Sequence, residues 1–410
     1  MVKVLIVNKF LYPNGGSETY IFKIGQQLQQ MGHEVQYFGM EHEGRIVGNH
    51  AESYTSDMDF HTGKLQKLMY PFKIIYSKEA RKKIRRVLDD FQPDVVHLNN
   101  INFQITPSVI DEITAYRKQT GRTVRIIYTA HDYQWVCPNH MLMIPSSGRL
   151  CTACIDGQYE NCRKNKCIHN SRMKSILGTI EAQYYQKHQT YSQVDAIICP
   201  SSFMQRMLEH NPQLQGKLIT MHNFLEKPEQ TEQQADSERY VLYFGRFDAQ
   251  KGIETLLKVC RALPQIPFVF AGKGELEAEV NEAANIKNVG FLSGRKLQET
   301  IAHAAFSVFP SEWYENCPFS VMESQMYGTP VIASDLGGTP ELIRVGKTGE
   351  LFRGGDDEEL KEKIVELWTD YSKNQQYHQN CLRLSENAGN GFDSLQEYCS
   401  RLIGIYEGRD

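Results

Sequence analysis

The sequence predicts an α/β protein built as two doubly wound parallel-sheet domains, and three observations carry that reading. Short apolar or β-branched runs alternate with helical patterns over most of the chain, as they do in βαβ units. Polar residues follow the carboxyl ends of these runs again and again, which is where open α/β sheets place their ligands. The series also restarts after an acidic stretch at 226–238 (EKPEQTEQQADSE) that has no large apolar residue, a composition that marks an interdomain linker. With 410 residues and 41% hydrophobic content, the chain can fill two cores.

The same features bound the function. No run approaches the roughly 20 apolar residues of a membrane span. The start, MVKVLIVNKF, is too short an apolar run for a signal peptide and is interrupted by Asn8 and Lys9. It reads as a first strand, so a cytoplasmic location is expected. A formal net charge of −4 argues against bulk nucleic-acid binding.

The first domain is expected over 1–225. Residues 2–7 form a buried-type strand, LYPNGGSE at 11–18 turns into a helix running to about 31, and Gly32 stops it before a strand at 34–39. Without a Cβ, Gly15 and Gly16 let a ligand approach the backbone. Residues 64–88 mix apolar side chains with nine Lys or Arg and one acid. This is either a solvated helix face or a basic amphipathic surface for anionic lipid, where each cation contributes about 1 kcal/mol. Strands at 94–98 and 124–130 end in His97 and in His131-Asp132, which makes His131 a site candidate. Further strands follow at 195–200, before Ser201-Ser202, and at 218–221, before His222-Asn223.

The insertion at 137–170 is dominated by Pro, Gly, Ser, Lys and Asn and reads as a loop without a core. It concentrates Cys137, Cys151, Cys154, Cys162 and Cys167. Clustered cysteines in a cytosolic protein point to metal more than to disulfides. Four of the five, or three with His140 or His169, would suit a tetrahedral structural zinc. Free or redox-active thiols and an iron–sulfur cluster stay open.

The second domain is expected over 239–388. A strand at 240–244 leads into GRFDAQKGIETLL, where Arg246 and Lys251 flank a turn between strand and helix. Such cations suit phosphate, and Arg can hold two oxygens at once; a surface salt bridge is the alternative. A strand and GKGE turn at 268–275, a strand at 288–294 and a helix at 297–305 come next. FSVFPSEWYENCPFSVMESQMYGTPVIASDLGGTPELI (306–343) then gives a strand, a loop with Glu315, a helix from 319 to 326 with Glu323, a strand at 330–333 and a Gly337-Gly338-Thr339 turn opening another helix. Two solvated glutamates would be unremarked, but here they flank a loop-to-helix junction at a strand's carboxyl end. After 355 the chain is helical and charged to about 377, and 392–406 is a last amphipathic helix within the closing segment 389–410.

The Glu315, seven residues, Glu323 pattern followed by GTPVIASDLGGTPELI resembles the nucleotide-sugar half of family-4 retaining glycosyltransferases, and the resemblance extends over nearly the whole chain. It implies the GT-B fold, two Rossmann-like domains facing a cleft, with the final helix crossing back to the first domain. It implies a nucleotide-diphosphate sugar as donor and a glycan or lipid-linked saccharide as acceptor, in cell-surface polysaccharide assembly. By the same resemblance Gly15, Gly16 and Glu18 face the donor diphosphate, Arg246 and Lys251 bind it, and Glu323 takes the ribose hydroxyls. Glu315 and His131 lie at the transferred sugar, with backbone groups of the loop through Asn316 and Phe319 assisting and His97 in support. Many relatives have Gly-Phe-Gly where this chain has Asn316-Cys317-Pro318, and Pro318 lacks an N–H. The two cations would do what a metal ion does in many other transferases, so no cofactor is expected for catalysis. Several family members with lipid-linked acceptors are peripheral membrane proteins, which favours the lipid reading of 64–88. A nucleotide-sugar epimerase of GT-B fold and a non-catalytic glycan-assembly partner are the rival readings.

Overall fold

The computed structural model describes residues 1–56, 75–226, 238–386 and 392–409. The expected linker at 226–238 falls almost wholly outside these, as does the 64–74 part of the basic stretch. Two compact units form: residues 1–221 with 395–410, and residues 222–394. His222 to Leu225 therefore belong to the second unit, where Asn223 donates from Nδ2 to the Cys317 carbonyl at 2.9 Å and Leu225 pairs with Ser394.

In the first unit six parallel strands line up in the order β2-β1-β3-β4-β7-β8: β1 Lys3–Val7, β2 Glu34–Phe38, β3 Val95–Leu98, β4 Arg125–Thr129, β7 Ala196–Cys199 and β8 Leu218–Thr220. Val4, Leu5, Ile6, Val7, Val96 and Ile126 are wholly buried, as continuous apolar strands covered on both faces should be. The order reverses at β1 and β3, so the loops after these two strands open a crevice at their carboxyl ends. The helix Gly16–Gln30 follows β1, and the last helix, Leu395–Tyr406, packs against it.

The basic helix Lys78–Phe91 is capped by Ser77, whose hydroxyl accepts from Ala80 N at 3.1 Å. Its apolar side, Ile84, Val87 and Leu88, is buried in the core. Arg81 and Arg85 are tied to Glu112 at 2.7 and 3.4 Å, while Lys78, Lys82 and Arg86 make an exposed cationic row at four-residue spacing.

The cysteine-rich insertion carries the antiparallel pair β5 Met143–Ile144 and β6 Arg149–Leu150 and the helix Glu160–Lys164. Contrary to the sequence expectation it has a small core: Ile144, Cys154, Tyr159, Cys162 and Cys167 are buried together. The cysteines themselves supply the apolar surface that the polar composition seemed to lack.

The second unit repeats the plan with strands β9 Val241–Phe244, β10 Phe268–Ala271, β11 Ile286–Asn288, β12 Phe306–Phe309, β13 Val331–Ser334 and β14 Gly349–Phe352, all parallel in the order β11-β10-β9-β12-β13-β14. Here the reversal lies between β9 and β12. Three expectations need correction. The strand placed at 288–294 ends at Asn288, because Gly290 and Gly294 take φ of 70° and 55° and turn the chain. The helix expected after Gly338 is the single turn Thr339–Leu342. The charged segment after Gly355 is two helices, Asp357–Thr369 and Tyr371–Glu386.

Candidate active site

In the second unit the site is assembled from the loops after β9 and β12. β9 ends at Phe244, and Arg246 lies two residues beyond. Asp248 holds this loop: its Oδ1 accepts from Lys251 N at 2.9 Å, and its Oδ2 pairs with Arg246 at 3.3 Å. The turn Ala249–Lys251 then closes on Gly252, whose φ of 70° suits glycine. A Cβ there would lie 1.8 Å from the Pro310 carbonyl oxygen, so glycine is also what lets the two loops meet.

They meet at Glu315. Its Oε1 accepts from the Lys251 ammonium, from Ser311 Oγ at 3.0 Å and from Trp313 Nε1 at 2.5 Å. Lys251 Nζ also lies 5.5 Å from the Trp313 ring and 5.8 Å from Phe309. The Glu315 carbonyl accepts from Gly338 N at 2.7 Å, and at Gly337, with φ 64°, a Cβ would fall 2.3 Å from that same oxygen. One carboxylate thus collects three donors and fixes the ammonium, while the Arg246 side chain, paired with Asp248 on the β9 loop, stays 68% exposed.

The structure brings Arg246, Lys251 and Glu315 together. It starts the helix Phe319–Met326 two residues after Cys317, with Pro318 as its N-cap, Phe319 as its first residue and a half-buried Glu323 one turn in. Asn316 is half-buried on the loop between. Ser311, Trp313 and Asp248 were not singled out from sequence. The spacing Ser-x-x-x-Glu with Trp two before the Glu, and the Asp three before Lys251, are the signals that could have found them.

In the first unit the carboxyl ends of β1, β3 and β4 converge on a second set of polar groups. Gly15 caps the helix Gly16–Gln30, with no side-chain bond to its amides. A Cβ on Gly15 would make only an ordinary 3.5 Å contact with Glu18, so the fold does not itself demand glycine. The buried Glu18 accepts from Asn8 Nδ2 at 2.9 Å and Ser17 Oγ at 3.0 Å, and Asn100 Nδ2 donates to Ser17 Oγ at 2.8 Å. His131 follows β4; its Nε2 meets Asn99 Oδ1 at 2.9 Å, and the Tyr20 ring stands edge-on at 5.1 Å. Burial pushes the His131 imidazolium down to about 4 against the pull of Asp132, so the ring is neutral near pH 7. Asp132 in turn pairs with His140 Nδ1 at 3.4 Å. His97, wholly buried, is bonded to Thr129 at 2.7 Å and to Tyr406 of the last helix at 2.6 Å. It sits beneath the site, and its imidazolium is pushed down to about 3 by burial and by His131.

All five insertion cysteines are free thiols. Burial pushes Cys137 up to about 11 and Cys154 up to about 12. The neighbouring Cys162 and Cys167 thiols act on each other, which raises the first and lowers the second. Among the described residues no three His, Cys, Asp or Glu side chains are already placed to hold a metal ion, so a zinc ion would have to draw the thiolates together. The chain's one Asp-x-Asp, Asp57-Met58-Asp59, lies outside the described residues. Among those residues, no helix is long and apolar enough to cross a membrane.

Residues 14–226 match the family model described as Glycosyltransferase Family 4, and residues 226–383 match that of Glycosyl transferases group 1. An uncharacterized glycosyltransferase of Methanocaldococcus jannaschii is 28% identical over 206 residues, which are 49% of this chain and 57% of that protein. An uncharacterized 42.6 kDa protein from the cps region of Klebsiella pneumoniae is 22% identical over 359 residues, 84% of this chain and 88% of that one. The sulfoquinovosyl transferase SQD2 of Arabidopsis thaliana is 32% identical over 136 residues, 32% of this chain and 26% of its own. Among solved structures, a sucrose-phosphate synthase from Thermosynechococcus elongatus superposes with a TM-score of 0.69 at 16% identity, covering 100% of this chain and 99% of that one. HepE of Anabaena, solved in complex with UDP and glucose, gives 0.67 at 15% identity and covers 100% of both. One family model alone matches more than half of the sequence: the chain belongs to Glycosyltransferase Family 4, and its two parallel-sheet units have the fold of the GT-B glycosyltransferases.

Proposed function

We propose that this protein moves a sugar from a nucleotide-diphosphate sugar to a glycan or lipid-linked saccharide, with retention of anomeric configuration and without a catalytic metal ion. The observation that carries the reading is the Lys251–Glu315 assembly at the strand-order reversal of the second sheet, with Arg246 exposed beside it. A fixed ammonium and a guanidinium at the carboxyl ends of β9 and β12 suit the charge that develops on a departing diphosphate. Such a pair does this with no ion between. The solved HepE complexes hold UDP and UDP-glucose, which supports a diphosphate donor here.

In this mechanism Arg246 and Lys251 hold the diphosphate, and Glu323 takes two ribose hydroxyls, since one carboxylate accepts more than one hydrogen bond. Glu315, with backbone N–H groups at Asn316 and Phe319, borders the sugar, and His131 faces it. Gly15 and Gly16 give the phosphates access to the N-terminal amides of a 15-residue helix. No carboxylate in this set is required as a nucleophile. The acceptor attacks from the face the diphosphate leaves, and the leaving phosphate takes the acceptor's proton.

Thermal-shift titration with UDP, GDP, ADP and CMP, with and without EDTA, tests the reading. A ligand at 100 times its Kd stabilises by about 2.7 kcal/mol. A shift with one nucleoside diphosphate, unchanged by EDTA and lost in Lys251→Ala, is the expected result. No shift with any nucleotide rejects a donor site, and a shift abolished by EDTA rejects metal independence. An inverted anomer in the product, read by NMR, rejects retention.

An acceptor on a lipid would bring the enzyme to a membrane, and the exposed Lys78, Lys82 and Arg86 support that. Because the apolar side of their helix is buried, attraction along this helix is electrostatic, about 1 kcal/mol per cation. Equal sedimentation with neutral and anionic vesicles would exclude it.

A further inference from the structure

Asn99 lies one residue past β3 and is wholly buried. Its amide nitrogen donates to two backbone carbonyls, His97 O at 3.2 Å and Val7 O at 3.4 Å. Carbonyl oxygens only accept, so the NH2 end of this amide must face them. The other end, Oδ1, is thereby turned to His131 Nε2 at 2.9 Å. It too can only accept, so the hydrogen between them belongs to Nε2.

We propose that Asn99 is a positioning residue that commits His131 to carrying its hydrogen on Nε2. The functional weight of this rests on the reading above that His131 faces the transferred sugar. The ring has little freedom to choose otherwise. Tyr20 stands edge-on against it, and the Tyr20 hydroxyl is bonded to Thr129 at 3.1 Å and to Tyr398 at 2.8 Å. The titratable groups facing His131 include Asp132, paired with His140, the buried His97 and Tyr20.

The test is long-range 1H–15N NMR of the full chain labelled with 15N-histidine, with the His131 signals assigned by their loss in His131→Gln. The expected wild-type spectrum at pH 7 shows a neutral His131 with hydrogen on Nε2. In Asn99→Asp a carboxylate replaces the amide at the same distance, and the protonation constant of His131 rises at least tenfold. Hydrogen on Nδ1 in the wild type overturns the proposal, as does an Asn99→Asp protein whose His131 titrates like the wild type. Should Asn99→Asp fail to fold, the wild-type spectrum alone decides. Absence of a nucleotide-induced thermal shift in the wild type would sink the donor-site reading and leave the tautomer result standing.

Discussion

The ion pair at the centre of the second unit can be separated into what it does for the fold and what it does for a ligand. Lys251→Met removes the ammonium and leaves Glu315, with a side chain 11% exposed, on the two neutral donors Ser311 and Trp313. A hydrogen bond to a charged group contributes about 1.5–3 kcal/mol, and orphaning a fully buried charge costs about 3–5 kcal/mol. Lys251 is 19% exposed and two donors remain, so the low end applies: about 2 kcal/mol. At about 2–4 °C per kcal/mol that is roughly a 4–8 °C fall in the calorimetric transition of the second unit. Glu315→Gln alone should cost about 1–2 kcal/mol. The double variant Lys251→Met/Glu315→Gln has no orphaned charge, so it should be about 1–2 kcal/mol more stable than the sum of the singles. It should still show no nucleoside-diphosphate shift, because stability is restored and the cation is not. Coupling below about 0.5 kcal/mol by such a cycle, or a nucleotide response recovered in the double variant, would refute the account of one pair serving both purposes.

Three further outcomes are expected. Gly252→Ala must place a Cβ in left-handed backbone, at about 1–2 kcal/mol, and within 1.8 Å of the Pro310 carbonyl. Titration calorimetry should show nucleotide affinity at least tenfold lower, since Lys251 moves with the turn, and unchanged affinity would contradict the loop contact. Stability should fall as pH drops from 6.5 to 4.5. His97 and His131, depressed to about 3 and about 4, are neutral when folded and charged when unfolded in that window, whereas Glu181, raised by burial to about 7, keeps its proton when folded and loses it when unfolded. From these three groups the net is one proton more in the unfolded state, about 1.4 kcal/mol per pH unit, and Glu181→Gln should steepen the slope by about the same amount again; a slope unaffected by that variant would refute the assignment. Zinc held by four insertion thiolates should appear as about one equivalent on metal analysis, and EDTA should lower the melting temperature without altering the nucleotide shift. Less than about a tenth of an equivalent excludes it.

The strands were legible because a sheet covered on both faces must be continuously apolar, so runs such as KVLIV and FVFA could hardly be anything else. Arg246, Lys251 and Glu315 were legible as residue types beside strand ends. What the sequence hid was the partner of each. Nothing periodic links Trp313 and Ser311 to a carboxylate two and four residues on, because a loop's hydrogen bonds follow its individual dihedrals. Asn99 was hidden for the same reason: its role comes from a register that sets the end of β3 beside Val7 and His131. The insertion misled in the opposite direction, since its polar composition masked a core made of thiols.

Strand order was also illegible, and it is what makes the two sites comparable. The first sheet reverses between β1 and β3, the second between β9 and β12. At a reversal the flanking crossovers leave on opposite faces of the sheet, so no helix covers the gap between the two strand ends and polar loop groups can converge there. In the first unit that gap collects Asn8, Ser17, Glu18 and Asn100, with the Asn99–His131 pair alongside. In the second it collects Asp248, Lys251, Ser311 and Glu315. Both networks hold a buried carboxylate against its donors, but only the second spends a cation on it. On the proposed reading, the unit that fixes an ammonium is therefore the one equipped to meet a diphosphate's charge.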